Sequence, residues 1–142
     1  MIFVGGAPRS GTTVTHALLC TSKRTNMHFS EISFVKSLFD AYRVGIKNWK
    51  VHTHTFFKSP EEFKHHMREC LMHSLNHLAQ QYGDPEILCV KDPLLTSLFY
   101  WVHDLFGQDV KLVTVVRHPY NVVRSRQDVF EKFGQTSRLR PH

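Results

Sequence analysis

The segment Gly6-Ala7-Pro8-Arg9-Ser10-Gly11-Thr12-Thr13 constrains this chain more than any other stretch. It closes an apolar run that begins at Ile2 and opens a helical pattern in which Val14, Ala17 and Leu18 share one face. Strand, tight loop and helix, in that order, form the context in which glycines let backbone N–H groups turn inward. The helix N-terminus adds partial positive charge, so the segment reads as a cradle for a tetrahedral oxyanion. A Gly/Ser/Thr-rich turn alone would be no more than a turn. The preceding strand, Arg9 and the paired threonines point beyond that, to anion binding.

The spacing G-x-x-x-x-G-T-T matches a phosphate-binding P-loop except that Thr12 stands where that pattern has lysine. Arg9 is the replacement cation, because its planar fork grips two oxygens of a phosphate or sulfate at a fixed angle. Ser10, Gly11, Thr12 and Thr13 complete the candidate cradle, the two threonines adding hydroxyl donors.

Strands and helices alternate through the rest of the sequence. Phe29 to Tyr42 carries helical spacing, with Ser30 as expected cap and Glu31 in the first turn. The segment from Lys47 to Ser59 has no clean period and is expected to be irregular. Ser59-Pro60-Glu61-Glu62 is a strong helix start, and Phe63, Met67, Leu71, Leu75, Leu78 and Tyr82 form its stripe until Gly83 ends it. EILCVKDP reads as a buried strand stopped by Pro93, TSLFYWVHDLFG as a helix, KLVTVVRHP as another strand and YNVVRSRQDVFEKFG as a helix. The order predicts one α/β domain over residues 1–142. Its expected architecture is a three-layer sandwich with a parallel sheet, of the P-loop-containing nucleotide hydrolase-like class.

Composition narrows the function classes. The 42% hydrophobic and 21% charged fractions of the 142 residues are those of a globular domain, and no apolar run is long enough to span a membrane. A formal charge of +6 is compatible with anionic ligands, but the cations are dispersed and no base-stacking module accompanies them, so nucleic acid is not expected. Cys20, Cys70 and Cys89 are too scattered in sequence for a disulfide framework or a metal knuckle and read as buried reduced thiols. His66, His73 and His77 share one flank of the long helix. With no HExxH and no nearby cysteine pair, they read as a solvated face, and no metal is expected.

GAPRSGTT, followed near the other end by RHPYNVVRS, resembles the sulfotransferase family that uses 3′-phosphoadenosine 5′-phosphosulfate (PAPS) as donor. The resemblance implies that Arg9, Ser10, Gly11, Thr12 and Thr13 bind the 5′-phosphosulfate, while Arg117 and Ser125, eight positions apart, bind the 3′-phosphate. Placement agrees, since Arg117 ends a strand and Ser125 lies in the next helix, both able to face the carboxyl edge of the sheet. Lys91-Asp92-Pro93 is similar to a KDP of the tyrosylprotein sulfotransferases whose lysine contacts the sulfuryl group. Glu31 falls where related enzymes place a catalytic glutamate. His28 is its rival, because the cytosolic small-molecule sulfotransferases use histidine.

The implied acceptor is a hydroxyl on a carbohydrate or a peptide tyrosine, although Ser30-Glu31 stands where the tyrosylprotein enzymes have an acidic pair. The chain is expected to span the first part of such a domain and to be incomplete on its C-terminal side. Alternatives are a P-loop kinase or NTPase, with Asp92 as magnesium ligand, and a catalytically incomplete fragment that only binds the donor. Oligomeric state and compartment are not legible: no signal or membrane segment is apparent, which fits the cytoplasm, or the Golgi lumen for a longer parent carrying an anchor.

Overall fold

Three short strands carry the fold. The computed structural model describes residues 1–138, with side chains through Glu131. Strands β1 (Ile2–Gly6), β2 (Cys89–Lys91) and β3 (Lys111–Val115) form a parallel sheet in the order β2-β1-β3. The register pairs Phe3 with Val90 on one side and with Leu112 on the other. β1 is therefore central, and the phosphate-type loop leaves from the middle of the sheet, where open α/β folds gather ligands.

Side chains of β1 alternate between two helical layers. Phe3, fully buried, meets Phe39 edge-on at 5.7 Å and lies nearly parallel to Phe106 at 6.5 Å. Those partners belong to α2 (Ser33–Lys47) and α4 (Phe99–Phe106). With α3 (Pro60–Gln81) they form the main core, where each large side chain contributes about 1.5–3 kcal/mol by leaving water. Val4 faces the other way, and α1 (Thr12–Leu19) packs against β1 and β2. Helix α5 (Pro119–Arg138) follows β3. The result is the expected α/β fold with parallel strands and helices on both faces.

Several elements match the residues that specify them. Ser59 Oγ accepts the Glu62 N–H at 3.2 Å with Pro60 at the first helical position, and the buried stripe of α3 is Phe63, Met67, Leu71 and Leu75. Gly83, at φ 81°, follows that helix. TSLFYWVHDLFG divides into a 3₁₀ segment, Pro93–Leu98, and α4.

Three expectations fail. The second helix starts at Ser33 with Ile32 as its cap residue, so Ser30 caps nothing and Glu31 lies before the helix. The same helix continues through Gly45, because its missing Cβ leaves room for the Phe63 ring that packs there. In α1 the buried residues are Thr12 and His16, whereas Val14 and Leu18 are 64% and 66% exposed. The loop fixes the phase of this short helix, and His16 Nε2 reaches the Cys89 carbonyl at 3.0 Å, so the polar face turns to the sheet. Among the described residues no helix is long and apolar enough to cross a membrane.

Candidate active site

The loop after β1 is shaped by two left-handed residues. Gly11 has φ 108°, a conformation only glycine adopts cheaply, and its carbonyl accepts the Thr15 N–H at 3.0 Å as α1 begins. Arg9, with φ 72°, is the other. A left-handed arginine costs about 1–3 kcal/mol, a strain that concentrates at sites where a side chain must be aimed.

Arg9 is aimed at α5. Its Nε donates to Ser125 Oγ at 3.2 Å, while Arg117 Nη1 donates to the Arg9 carbonyl at 3.1 Å. Residues 116 and 108 positions away are thereby tied to the first loop. Together they border a cavity of about 310 Å³ lined by Arg9, Gly11, Thr12, Thr13, Glu31, Arg117 and Ser125, with Pro8, Val14 and Pro93. Eight of the nine sequence-derived site residues thus meet here once Lys91 is placed behind the wall. Ser10 is the exception: it is buried, its N–H is spent on the Ala7 carbonyl at 2.9 Å, and its hydroxyl has no partner among the described residues.

Lys91 stands behind this wall, only 4% exposed. Its Nζ donates to Thr13 Oγ1 and to Glu31 Oε1, each at 3.0 Å. A buried ammonium is tolerated because it is paired and hydrogen-bonded, and the strand end fixes its position. The cation beside the threonine hydroxyl is therefore Lys91, delivered from β2, while Arg9 serves the α5 side.

Glu31 owes its place to a segment that runs along the outer edge of β2. The Ile87 N–H donates to the Arg24 carbonyl at 2.9 Å, Thr25 and Ile87 form a parallel bridge, and the Ile32 N–H donates to the Lys91 carbonyl at 3.2 Å. Between them Asn26, 1% exposed, takes the Cys89 N–H at 2.6 Å and donates to its carbonyl at 2.9 Å. One side-chain amide thus satisfies both strand groups that an edge would leave open. Sequence reasoning missed Asn26. Its only signal was a lone asparagine before a helix.

His28 takes another position. Its Nδ1 lies 2.9 Å from His16 Nδ1, and it does not line the cavity. Burial holds the His16 imidazole below its ordinary pKa, so it is neutral, with Nε2–H directed to the Cys89 carbonyl and Nδ1 facing His28. Asp92 is also committed elsewhere. It accepts the Leu94 N–H at 2.9 Å and the Ser33 hydroxyl at 3.3 Å, capping the turn after β2.

The cysteines, scattered in sequence, are not all scattered in space. Ligand atoms of His16, Cys20 and Cys89 lie within 4.8 Å of one another. Burial raises the Cys20 thiol and pushes Cys89 up to about 12, so both stay protonated at neutral pH. Cys89 is buried, whereas Cys20 and Cys70 are half-buried. His73 and His77 are exposed, but both also line a hollow between α3 and the segment before α2, so this flank of α3 is not only a solvated face.

The sequence model described as the Sulfotransferase family matches residues 2–141. The chain belongs to the sulfotransferase family. No curated protein matches it closely enough to narrow that assignment. As a sulfotransferase it is a transferase, and the parallel α/β sheet with its loop after β1 is consistent with the family's P-loop-like fold.

Proposed function

We propose that the chain transfers the sulfuryl group of PAPS to an acceptor hydroxyl, with no metal taking part. The observation that carries this reading is the convergence of Arg9, Thr13, Glu31, Arg117 and Ser125 on one cavity, with the Lys91 ammonium fixed behind it. These groups fit the donor. The open N-terminus of α1 and the hydroxyls of Thr12 and Thr13 suit the 5′-phosphosulfate, and Arg117 with Ser125 suits the 3′-phosphate.

PAPS, when bound, supplies an activated sulfuryl group. The protein's part is orientation, charge and proton transfer. Arg9 and Arg117 hold anionic oxygens. Lys91 has three ammonium hydrogens, two of them engaged by Thr13 and Glu31, which leaves one for charge that develops at the reacting centre. Glu31 is the general base, because its carboxylate borders the cavity while His28 is turned to His16. Ser10 supports the loop from inside rather than through its hydroxyl. The kinase reading has less support: Thr12, not lysine, follows Gly11, and the two Asp92 oxygens are engaged by the Leu94 N–H of the turn after β2 and by the Ser33 hydroxyl at the start of α2.

The test is transfer from donor labelled with radioactive sulfur, run with excess chelator against a panel of hydroxyl compounds. Appearance of labelled sulfate ester is the expected result. Release of phosphate from magnesium-ATP without any sulfate ester would overturn the reading.

A further inference from the structure

Glu31 lines three cavities. One is the donor cavity, a second of about 310 Å³ carries Lys36 and Asp92, and the third, about 500 Å³, lies between the start of α2 and the C-terminal half of α3. We infer that this third cavity is the acceptor subsite and that it takes a neutral hydroxyl compound built on an aromatic or alicyclic ring. The inference rests on the donor reading above and goes beyond it by naming the acceptor's chemical class.

Three observations carry it. The first is position, since Glu31 lines both the donor cavity and this larger one, so that a proton acceptor stands where the two hollows adjoin, with the sulfuryl group on one side and a hydroxyl on the other. The second is shape and lining. Phe29 stacks on Tyr82 with centroids 4.5 Å apart, Phe34 is 71% exposed, and Leu78 extends the apolar wall, in a volume typical of small-molecule sites. One exposed and two half-buried aromatic rings around a hollow of this size favour a flat or ring-shaped apolar guest.

The third observation is charge. Among the residues that line this cavity there is no lysine and no arginine, and Glu31 is its one carboxylate. An acidic saccharide or a tyrosine flanked by acidic residues would bring negative charge into a hollow whose lining offers it no lysine or arginine, and the nearest buried ammonium, Lys91, is already paired with Glu31. His73 and His77 sit on the wall as hydrogen-bonding groups suited to a neutral polar edge of the guest.

The step balances within the named groups. The acceptor O–H gives its proton to the Glu31 carboxylate as its oxygen bonds to sulfur. The bond between sulfur and the bridging phosphate oxygen breaks, and that oxygen leaves with the electron pair on adenosine 3′,5′-bisphosphate. Glu31 then releases the proton to solvent, and the product is a neutral ring's sulfate ester.

The experiment uses the full chain, 2-naphthol as neutral probe and a tyrosine peptide flanked by aspartates as anionic probe, with bisphosphate affinity measured in parallel. His77→Trp should crowd the hollow and Phe34→Ala should strip one ring from it. Both residues are exposed, so neither change threatens folding. The expected result is transfer to 2-naphthol in preference to the peptide, with KM for naphthol raised at least about fivefold in each variant and bisphosphate affinity unchanged. Bisphosphate binding with preference for the acidic peptide, or with a naphthol KM indifferent to both variants, would overturn the acceptor assignment alone. Loss of bisphosphate binding in the parent chain would overturn the donor reading and this inference with it.

Discussion

The Lys91 ammonium lies 3.0 Å from Glu31 Oε1, joining a side chain that is 5% exposed to one that is 46% exposed. The buried partner cannot move far, because it is the last residue of β2. The exposed partner lines the donor cavity and the larger hollow beside α3. A fixed cation thus holds the proposed base in place without closing it off from an acceptor.

Glu31→Gln keeps the shape of this side chain and removes its ability to take a proton. Turnover should fall by roughly 10²–10⁴, the usual worth of a positioned base, while bisphosphate affinity changes little. His28→Ala should leave turnover near the parent value. Steady-state kinetics on both variants, with calorimetry on the same samples, checks the pair. Normal turnover in Glu31→Gln together with a collapse in His28→Ala would transfer the base role to His28.

Asn26→Ala removes the amide that pairs with Cys89 N–H and C=O; His16 still donates to the carbonyl, but the buried N–H is left open. The cost should be about 2 kcal/mol or more, a fall in Tm of roughly 6–10 °C for a domain of this size. Turnover should fall beyond what stability explains, because the segment that carries Glu31 loses its hold on β2. Thermal unfolding and assays well below Tm separate the two effects. An unchanged Tm would contradict the account of the β2 edge.

Those two residues mark how far the sequence reaches. The loop after β1 is legible because its chemistry is local: glycine at positive φ, a strand before and a helix after. The α3 cap at Ser59 is legible for the same reason. Glu31 was assigned to a helix it does not enter, since the clamp from Asn26 to Cys89 joins residues 63 positions apart and leaves no pattern in the sequence. The orientation of α1 failed similarly. Val14, Ala17 and Leu18 form a stripe, but a bond from His16 to the distant Cys89 carbonyl decides which face meets the sheet.

Asp104 links α3, α2 and α4 away from the site. It accepts Tyr42 Oη–H at 2.5 Å and Lys64 Nζ at 2.7 Å. Burial pushes its carboxyl up, but the bonds from Lys64 and Tyr42 outweigh burial and hold it below its ordinary value of 3.8. Burial and the same carboxylate push the Tyr42 hydroxyl well above its usual range.

A depressed carboxyl stabilises above its unfolded value, and that contribution is lost as pH falls through the lower folded value. Asp104→Asn should therefore destabilise the fold by about 1.5–3 kcal/mol at neutral pH. The difference should shrink as the medium is acidified below 3.8. Urea midpoints of both proteins across that range make the comparison. A difference independent of pH would contradict the assignment.

The central claim is that Arg9, Arg117 and Ser125 complete a site for the donor's phosphates, and calorimetric titration with adenosine 3′,5′-bisphosphate, beside magnesium-ATP, measures it most directly. The bisphosphate should bind in preference to ATP, and Arg117→Ala should weaken it at least about tenfold, the loss of one charge-assisted bond. Equal binding by the Arg117→Ala variant, or preference for magnesium-ATP, would contradict the account.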